Sequence, residues 1–122
     1  YNHFKDTGRT PDYYDIIATG DLGKVGKKMT LEMLKEYGYD LSKNYVDCGD
    51  IIFDNETQNT CSGGSGCGCS AVVMCGYFYK RLMKKEIKKL LLISTGALMS
   101  PTSTLQGESI PGIAHAVAIE YE

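Results

Sequence analysis

The sequence contains no tryptophan, three prolines and two histidines among its 122 residues. Its 13 basic and 15 acidic residues nearly balance, so it lacks the excess of positive charge that is typical of nucleic-acid-binding proteins. It also lacks a run of about 18 apolar residues, the length that a membrane-spanning helix needs, and we expect no signal peptide. These absences predict a soluble protein that neither crosses a membrane nor binds nucleic acid.

Cysteine is present, but not in the pattern of a disulfide scaffold. The five cysteines are an odd number without framework spacing, so we expect reduced thiols in an intracellular protein. The length is sufficient for one domain with its own core. The first residues, YNHFKDTGRT, contain no initiator methionine, and we expect the chain to be a piece of a longer protein.

The hydrophobic pattern predicts an α/β fold with a mixed sheet, because strand and helix signals alternate along most of the chain. The predicted strands are 13–19, 45–53, 90–95 and 113–120, and the predicted helices are 22–37 and 65–83. Residues 1–12 are polar, so we predict that they form an entry segment and that the domain comprises residues 13–122. Residues 97–112 are rich in Ser, Thr, Pro and Gly and predict a loop.

The two predicted helices differ in character. In 22–37 the apolar residues recur at helical spacing, which predicts one packed face and one solvated face. The apolar residues are Leu22, Val25, Met29, Met33, Leu34 and Tyr37, and the solvated ones are Lys24, Lys27, Lys28 and Glu32. The first three turns of 65–83 are apolar all round, so this helix should be covered on every side.

Between these helices, residues 61–71 read CSGGSGCGCSA, with four glycines in six positions. Glycine costs about 0.5–1 kcal/mol relative to alanine inside a helix, so this backbone must serve a purpose. A dinucleotide-binding turn fits G-x-G-x-x-A only formally, because no strand leads directly into it and no acidic residue ends the following strand. A nucleotide P-loop is excluded because no Gly-Lys-Ser/Thr follows.

A metal site is a second interpretation of the same stretch, since cysteines can share a zinc ion or an iron–sulfur cluster. The candidates are Cys61, Cys67, Cys69 and Cys75. If the helix has begun, positions 67 and 69 point about 200° apart and cannot converge on one ion. We therefore expect small buried thiols in a tightly packed helix and no metal.

The third interpretation is an anion cradle. Glycines before a buried helix would place unpaired backbone N–H groups, and the positive end of the helix dipole, below a cavity over residues 63–67. Such a cradle suits a carboxylate, a phosphate or a thioester oxygen. Close helix packing without any ligand is the alternative use of the same glycines.

Two stretches, GGSGCGCSAVV and LLLISTGALMSPTSTLQGESIPGIAHAVAIE, closely resemble the C-terminal part of the stage V sporulation protein AD family, within the thiolase-like superfamily. The resemblance runs from about Tyr13 to the end of the chain. It implies the second half of a five-layer αβαβα fold, in which the helix after the glycine turn lies in the central layer. It also implies a sporulation protein that binds dipicolinic acid, or its calcium chelate, during uptake into or release from the spore.

The resemblance further implies partners and a location. The partners would be the other SpoVA proteins and the N-terminal half of the same protein, and the location would be the periphery of the spore inner membrane. We also expect a homo-oligomer, because the apolar central helix would be bare in this half alone.

Catalytic residues of the superfamily are not evident. The nucleophilic cysteine belongs to the first half, no Gly-His-Pro turn follows the glycines, and Asn59-Thr60 only partly resembles an Asn-Thr-Ser turn. The segment 94–98 lacks the Cys-x-Gly turn. Cys61 stands where the family often has a histidine, which implies weaker ligand binding if that histidine contacts the ligand.

The remaining candidates are two histidines and a basic run. His115 lies in an alternating apolar segment and is expected to be a hydrogen-bonded core histidine, whereas His3 should be solvated. The basic run comprises Lys80, Arg81, Lys84, Lys85, Lys88 and Lys89. It could meet an anionic surface or a partner, although a solvated helix end is the simpler interpretation.

We therefore predict a non-catalytic binding subunit without a cofactor. A thiolase-like acyltransferase acting on coenzyme A or carrier-protein thioesters, and a scaffold without a ligand, are the alternatives. The predicted ligand-binding residues are Cys61, Gly63, Gly64, Ser65, Gly66, Cys67, Thr95, Gly96, Ala97 and Leu98.

Overall fold

Four strands form one mixed β-sheet in the computed structural model, which describes residues 1–64, 66–94, 96–97, 100–110 and 112–121. The strands are β1 (Ile16–Thr19), β2 (Tyr45–Asp47), β3 (Lys89–Ile93) and β4 (Ala116–Glu120). Their order is β2-β1-β3-β4, with β1 parallel to β2 and β3, and β4 antiparallel to β3. The prediction of an α/β fold with a mixed sheet is confirmed.

Helices cover both faces of this sheet. They are α1 (Asn2–Thr7), α2 (Gly23–Glu36), α3 (Cys48–Ile51), α4 (Cys69–Val73), α5 (Tyr79–Met83) and α6 (Pro101–Leu105). On one face, Phe4 of α1 and part of α2 pack with Ile17 and Leu91. On the other face, α4 and α5 bury Val73 and Leu82 against the sheet.

Helix α2 forms where it was predicted, and Gly38, with φ +85°, follows its end. The prediction of its packed face is confirmed for Leu34 and wrong for Val25 and Met29. Leu31 and Leu34 face the core, whereas Val25 and Met29 are 62% and 55% exposed. The spacing of apolar residues in the sequence could not show which face packs on the sheet, because both faces of the helix carry apolar residues.

The helix predicted over 65–83 begins later, at Cys69, because the glycines before it adopt left-handed conformations. A π-helical turn, Met74–Phe78, joins α4 to α5, so that residues 69–83 form one continuous central helix. The sheet covers one side of it. Val72 and Tyr77 on the other side are 59% and 49% exposed, and with Ile51 and Gly76 they border an apolar cavity of about 370 Å³.

Several boundaries differ from the predictions. Strand β2 ends at Asp47, and the rest of the predicted 45–53 strand becomes α3 and a turn. The predicted loop 97–112 contains α6, whose first turn is capped by the Ser100 hydroxyl accepting the Ser103 N–H. The last strand begins at Ala116. The entry segment contains α1, and burial of Phe4 anchors it to the sheet.

Candidate functional site

The glycine run is a tight turn that packs against the start of α3. Gly63, Gly64 and Gly66 have φ values of +87°, +94° and +95°, which residues with a Cβ rarely adopt. A Cβ on Gly63 would meet the carbonyl oxygen of Gly49, so the close approach of the two segments also needs glycine. The turn therefore has a structural use in both its backbone angles and its packing.

The N–H groups of Gly63, Gly64 and Gly66 are already hydrogen-bonded, which corrects the prediction of an unpaired anion cradle at these three positions. Gly63 donates to the Thr60 carbonyl at 2.9 Å, and Gly64 donates to the Gly49 carbonyl at 2.9 Å. Gly66 donates to Oδ2 of Asp21 at 2.8 Å. These three donors stabilise the turn and are not directed at a ligand.

A cavity of about 270 Å³ lies beside this turn. It is lined by Gly20, Asp21, Gly66, Cys67, Ser70 and Ala97. Gly20 and Asp21 follow β1, and Ala97 follows β3, so the cavity lies at the carboxyl ends of two parallel strands. Ligands of open α/β sheets bind at this edge.

The structure brings together three of the predicted site residues, Gly66, Cys67 and Ala97. Gly64 does not line the cavity but lies next to it, since a Cβ on Gly64 would stand 3.1 Å from Oδ1 of the lining residue Asp21. Gly96 accepts the Ile113 N–H at 2.8 Å and supports the turn that carries Ala97. Two further predicted residues, Cys61 and Gly63, do not line the cavity. The other three lie outside the described residues; they are Ser65, Thr95 and Leu98.

Gly20, Asp21 and Ser70 also line the cavity and were not among the predicted site residues. A signal for the first two was present, because a glycine and an acidic residue directly follow the predicted strand 13–19. Polar residues at the carboxyl end of a parallel strand are common in binding sites. Ser70 gave no comparable signal, since it lies in the apolar helix pattern.

Asp47 fixes the turn that presents Asp21. Its carboxylate is fully buried and accepts the Thr19 hydroxyl at 2.6 Å. It also accepts the N–H groups of Leu22 and Gly23, the latter at 2.8 Å, at the beginning of α2. Backbone donors at a helix N-terminus favour a negative charge, so the buried carboxylate is compensated. The β1–α2 connection is thereby held in one conformation.

The cavity has an acidic character. Its six described lining residues include the carboxylate of Asp21 and no histidine, lysine or arginine. The hydroxyl of Ser70 and the thiol of Cys67 add polar groups. A ligand with a positive or metal-carrying part fits this charge better than a bare anion.

The cysteines do not share one environment. Cys48 and Cys69 are buried, whereas Cys61, Cys67 and Cys75 are exposed, which corrects the prediction of buried thiols at 67 and 75. Burial, together with the nearby Cys69, raises the pKa of Cys48 to about 12. Cys67 precedes the central helix and borders the cavity, so it is the thiol that a ligand would meet.

Both histidines differ from their predictions. His115 is exposed and precedes β4, so it is not a core histidine. His3 is partly buried, and its Nε2 lies 2.7 Å from the Tyr14 hydroxyl. Burial and then the nearby Arg9 lower the pKa of His3. Neither side chain lines the cavity beside the glycine turn.

The fold and the cavity define an α/β protein with a candidate binding cavity at the carboxyl edge of its sheet. Residues 1–120 match the model of the stage V sporulation protein AD (SpoVAD) family. The chain is 46% identical over 118 residues to Stage V sporulation protein AD of Bacillus subtilis (strain 168), an alignment that covers 97% of this chain and 35% of that protein. The chain therefore belongs to this family of sporulation proteins and spans about a third of the length of that relative. In the described ranges, no helix has the length and apolar character needed to cross a membrane.

Proposed function

We propose that this chain contributes a non-catalytic binding site for dipicolinic acid, taken up into or released from the spore as its calcium chelate. The observation that carries the proposal is the cavity in which the glycine turn and the segment after β3 meet at Gly66, Cys67 and Ala97. These segments are remote in sequence, and both belong to the stretches that resemble the family.

The cavity suits a small ligand. Its volume of about 270 Å³ is near the lower end of the range for ligand pockets, which is about 300–1,000 Å³. Dipicolinate is a single flat aromatic ring with two carboxylates, so it requires less space than a nucleotide or a coenzyme A ester. Size therefore favours the small ligand over the larger ones.

Charge favours the calcium chelate over the free dianion. Asp21 borders the cavity, and no described lining residue offers a compensating cation. The Asp21 carboxylate would repel the two carboxylates of free dipicolinate. In the chelate, calcium binds several oxygen ligands at once, so its positive charge offsets both the dipicolinate carboxylates and the Asp21 carboxylate. Calcium belongs to the ligand in this proposal, so the protein needs no resident metal.

The exposed side of the central helix is the proposed contact with the N-terminal half of the same protein. Val72 and Tyr77 lie there beside an apolar cavity, and burying them would remove the exposed apolar patch. Assembly with other SpoVA proteins and a peripheral position at the spore inner membrane complete the proposal. Those two parts rest on the family resemblance alone.

Isothermal calorimetry on the chain tests the binding proposal, with dipicolinate titrated in the presence of calcium or of a chelator. We expect weak binding that requires calcium. Ala97→Leu fills the cavity and should weaken binding about tenfold, equivalent to about 1.4 kcal/mol. Cys75→Leu is the control, because Cys75 is exposed on the central helix and does not line this cavity.

Asp21→Asn distinguishes binding of the calcium chelate from binding of free dipicolinate. The amide oxygen can still accept the Gly66 N–H, but the charge is lost. Binding of the chelate should weaken, while binding of free dipicolinate should strengthen. Binding that is indifferent to Ala97→Leu, or no detectable binding of either form, would contradict the proposal.

A thiolase-like acyltransferase is the second candidate, and one observation favours it. The Cys67 thiol is exposed at the cavity beside the Asp21 carboxylate, which is the arrangement of a nucleophile near a potential base. The proposal of a non-catalytic role predicts that this thiol does not turn over thioesters.

A further inference from the structure

Strand β4 forms one edge of the sheet, and its hydrogen-bonding direction can be assigned. The Tyr121 N–H donates to the Lys88 carbonyl at 2.8 Å, on the side of β3. Backbone groups alternate in direction along an antiparallel strand, so Val117 and Ile119 also point to β3. The N–H and C=O groups of Ala116, Ala118 and Glu120 therefore point away from the sheet.

This edge carries few of the features that prevent strands from associating. Proteins commonly protect an edge with proline, lysine or a bulge. Strand β4 reads AVAIE, pairs with β3 in an unbroken register, and has a single charge at its end. Val117 is 52% exposed, and every other residue of the strand except Ile119 is exposed as well. The strand is thus able to accept another strand.

We propose that β4 pairs antiparallel with β4 of a second copy of this chain, so that two four-stranded sheets become one continuous sheet. The two-fold axis passes through Ala118. In this register Ala118 faces its own counterpart, and Ala116 faces Glu120 of the second copy. Each of these residue pairs directs its N–H and C=O groups at the other and forms two hydrogen bonds.

The side chains also match in this register. Val117 of one copy lies opposite Ile119 of the other, on the face where Ile119 packs with the central-helix cluster. Cross-strand pairs of β-branched residues stabilise antiparallel sheets. The chain therefore supplies a self-complementary strand, which is why a second copy is the occupant that fits best.

Charge disfavours one alternative register. Glu120 is held within its own copy by Arg9 at 2.9 Å and by the Tyr13 hydroxyl. A register centred on Glu120 would place two carboxylates opposite each other, which is unfavourable. The register centred on Ala118 places each carboxylate opposite an alanine. No β4 residue lines the apolar cavity beside Val72 and Tyr77, so the two surfaces can be tested with separate substitutions.

Two substitutions of one residue test the pairing. Ala116→Glu would face Glu120 of the second copy at both ends of the paired strands, whereas Ala116→Lys would face it with opposite charge. Both place a long charged side chain at the same exposed position, so they are matched for effects on folding. Sedimentation equilibrium should give a dimer whose dissociation constant rises at least about tenfold in Ala116→Glu relative to Ala116→Lys.

Ala118→Pro provides a second variant, because proline removes one outward N–H without removing a bond to β3. It should reduce dimer formation, and circular dichroism checks its fold. A native chain that is monomeric at all concentrations, or equal dissociation constants for the two Ala116 variants, overturns the proposal. A dimer that survives these changes but is lost in Val72→Lys forms through the central helix and also overturns it.

Discussion

The Oδ2 atom of Asp21 accepts a hydrogen bond of 2.8 Å from the Gly66 N–H, and this bond links the end of β1 to the glycine turn. Both residues border the same cavity. The carboxylate therefore has two effects: it gives the cavity its charge, and it holds one wall of the cavity in position.

Gly66→Ala should destabilise the fold by about 1–2 kcal/mol in urea unfolding, because a residue with a Cβ is strained at φ +95°. No atom lies within 4 Å of the new Cβ, so the cost is conformational. Gly68→Ala is the matched control, since Gly68 has φ −87° and equally open surroundings. Equal effects of the two substitutions would contradict the strain argument.

Asp47→Ala should destabilise the chain by about 3 kcal/mol or more, measured by urea unfolding. The substitution leaves the Thr19 hydroxyl and the first N–H groups of α2 without their charged acceptor in a buried site. Asp12→Ala removes only an exposed ion pair with Lys43 and should cost less than about 0.5 kcal/mol. A small effect at Asp47 would show that water replaces the carboxylate.

The sequence predicted the sheet and its helices well, because their signals are local. Apolar runs around Ile17 and Leu91, and the helical spacing of α2, require no knowledge of the neighbours. The predictions that were wrong concern features that tertiary contacts decide. The apolar residues of α2 lie on two sides, and only contact with the sheet selects Leu31 and Leu34 over Val25.

The site was predicted in part for the same reason. The glycine run signalled an unusual backbone, and Gly66 and Cys67 do line the cavity. The N–H groups of Gly64 and Gly66 were wrongly assigned to a ligand, because their acceptors on Gly49 and Asp21 lie far away in sequence. Local sequence cannot reveal a hydrogen bond between segments that meet only after folding.

Asp15 should contribute stability that is lost in acid. Its carboxylate accepts the N–H groups of Lys88 at 2.6 Å and Lys89 at 2.9 Å. The bond from Lys88 is the main cause that lowers the pKa of Asp15 below its ordinary value of 3.8. The contribution is therefore complete above about pH 4 and disappears as the pH falls through the lowered pKa.

Asp15→Asn tests this linkage by urea unfolding at neutral and acid pH. The variant should be less stable than the native chain at neutral pH, and the difference should shrink in acid, where the native carboxylate is protonated. The same substitution at the exposed Asp6 is the control. A difference that grows as the pH falls would reverse the sign of the argument.

Thiol labelling should divide the five cysteines into two groups. In the native chain, Cys61, Cys67 and Cys75 should react rapidly with a disulfide reagent at mildly alkaline pH, because they are exposed. Cys48 and Cys69 should react only after unfolding, since both are buried and the pKa of Cys48 is raised to about 12. Mass spectrometry of the labelled peptides identifies each site, and early labelling of Cys48 would show that α3 opens.

Thioester turnover is the measurement that separates the two candidate functions. A cysteine nucleophile needs a base or a nearby cation that favours its thiolate. The described lining of the cavity offers Cys67 neither a histidine nor a cation, and Asp21 is its only charged residue. We therefore expect no release of free coenzyme A from acetyl- or acetoacetyl-coenzyme A above background. Cys67→Ala and Cys61→Ala should leave that background unchanged.

Because this chain spans about a third of its relative, the full-length Bacillus subtilis protein should be assayed in parallel. Turnover by the chain that disappears in Cys67→Ala would identify the cavity as catalytic and would replace the binding proposal with the acyltransferase.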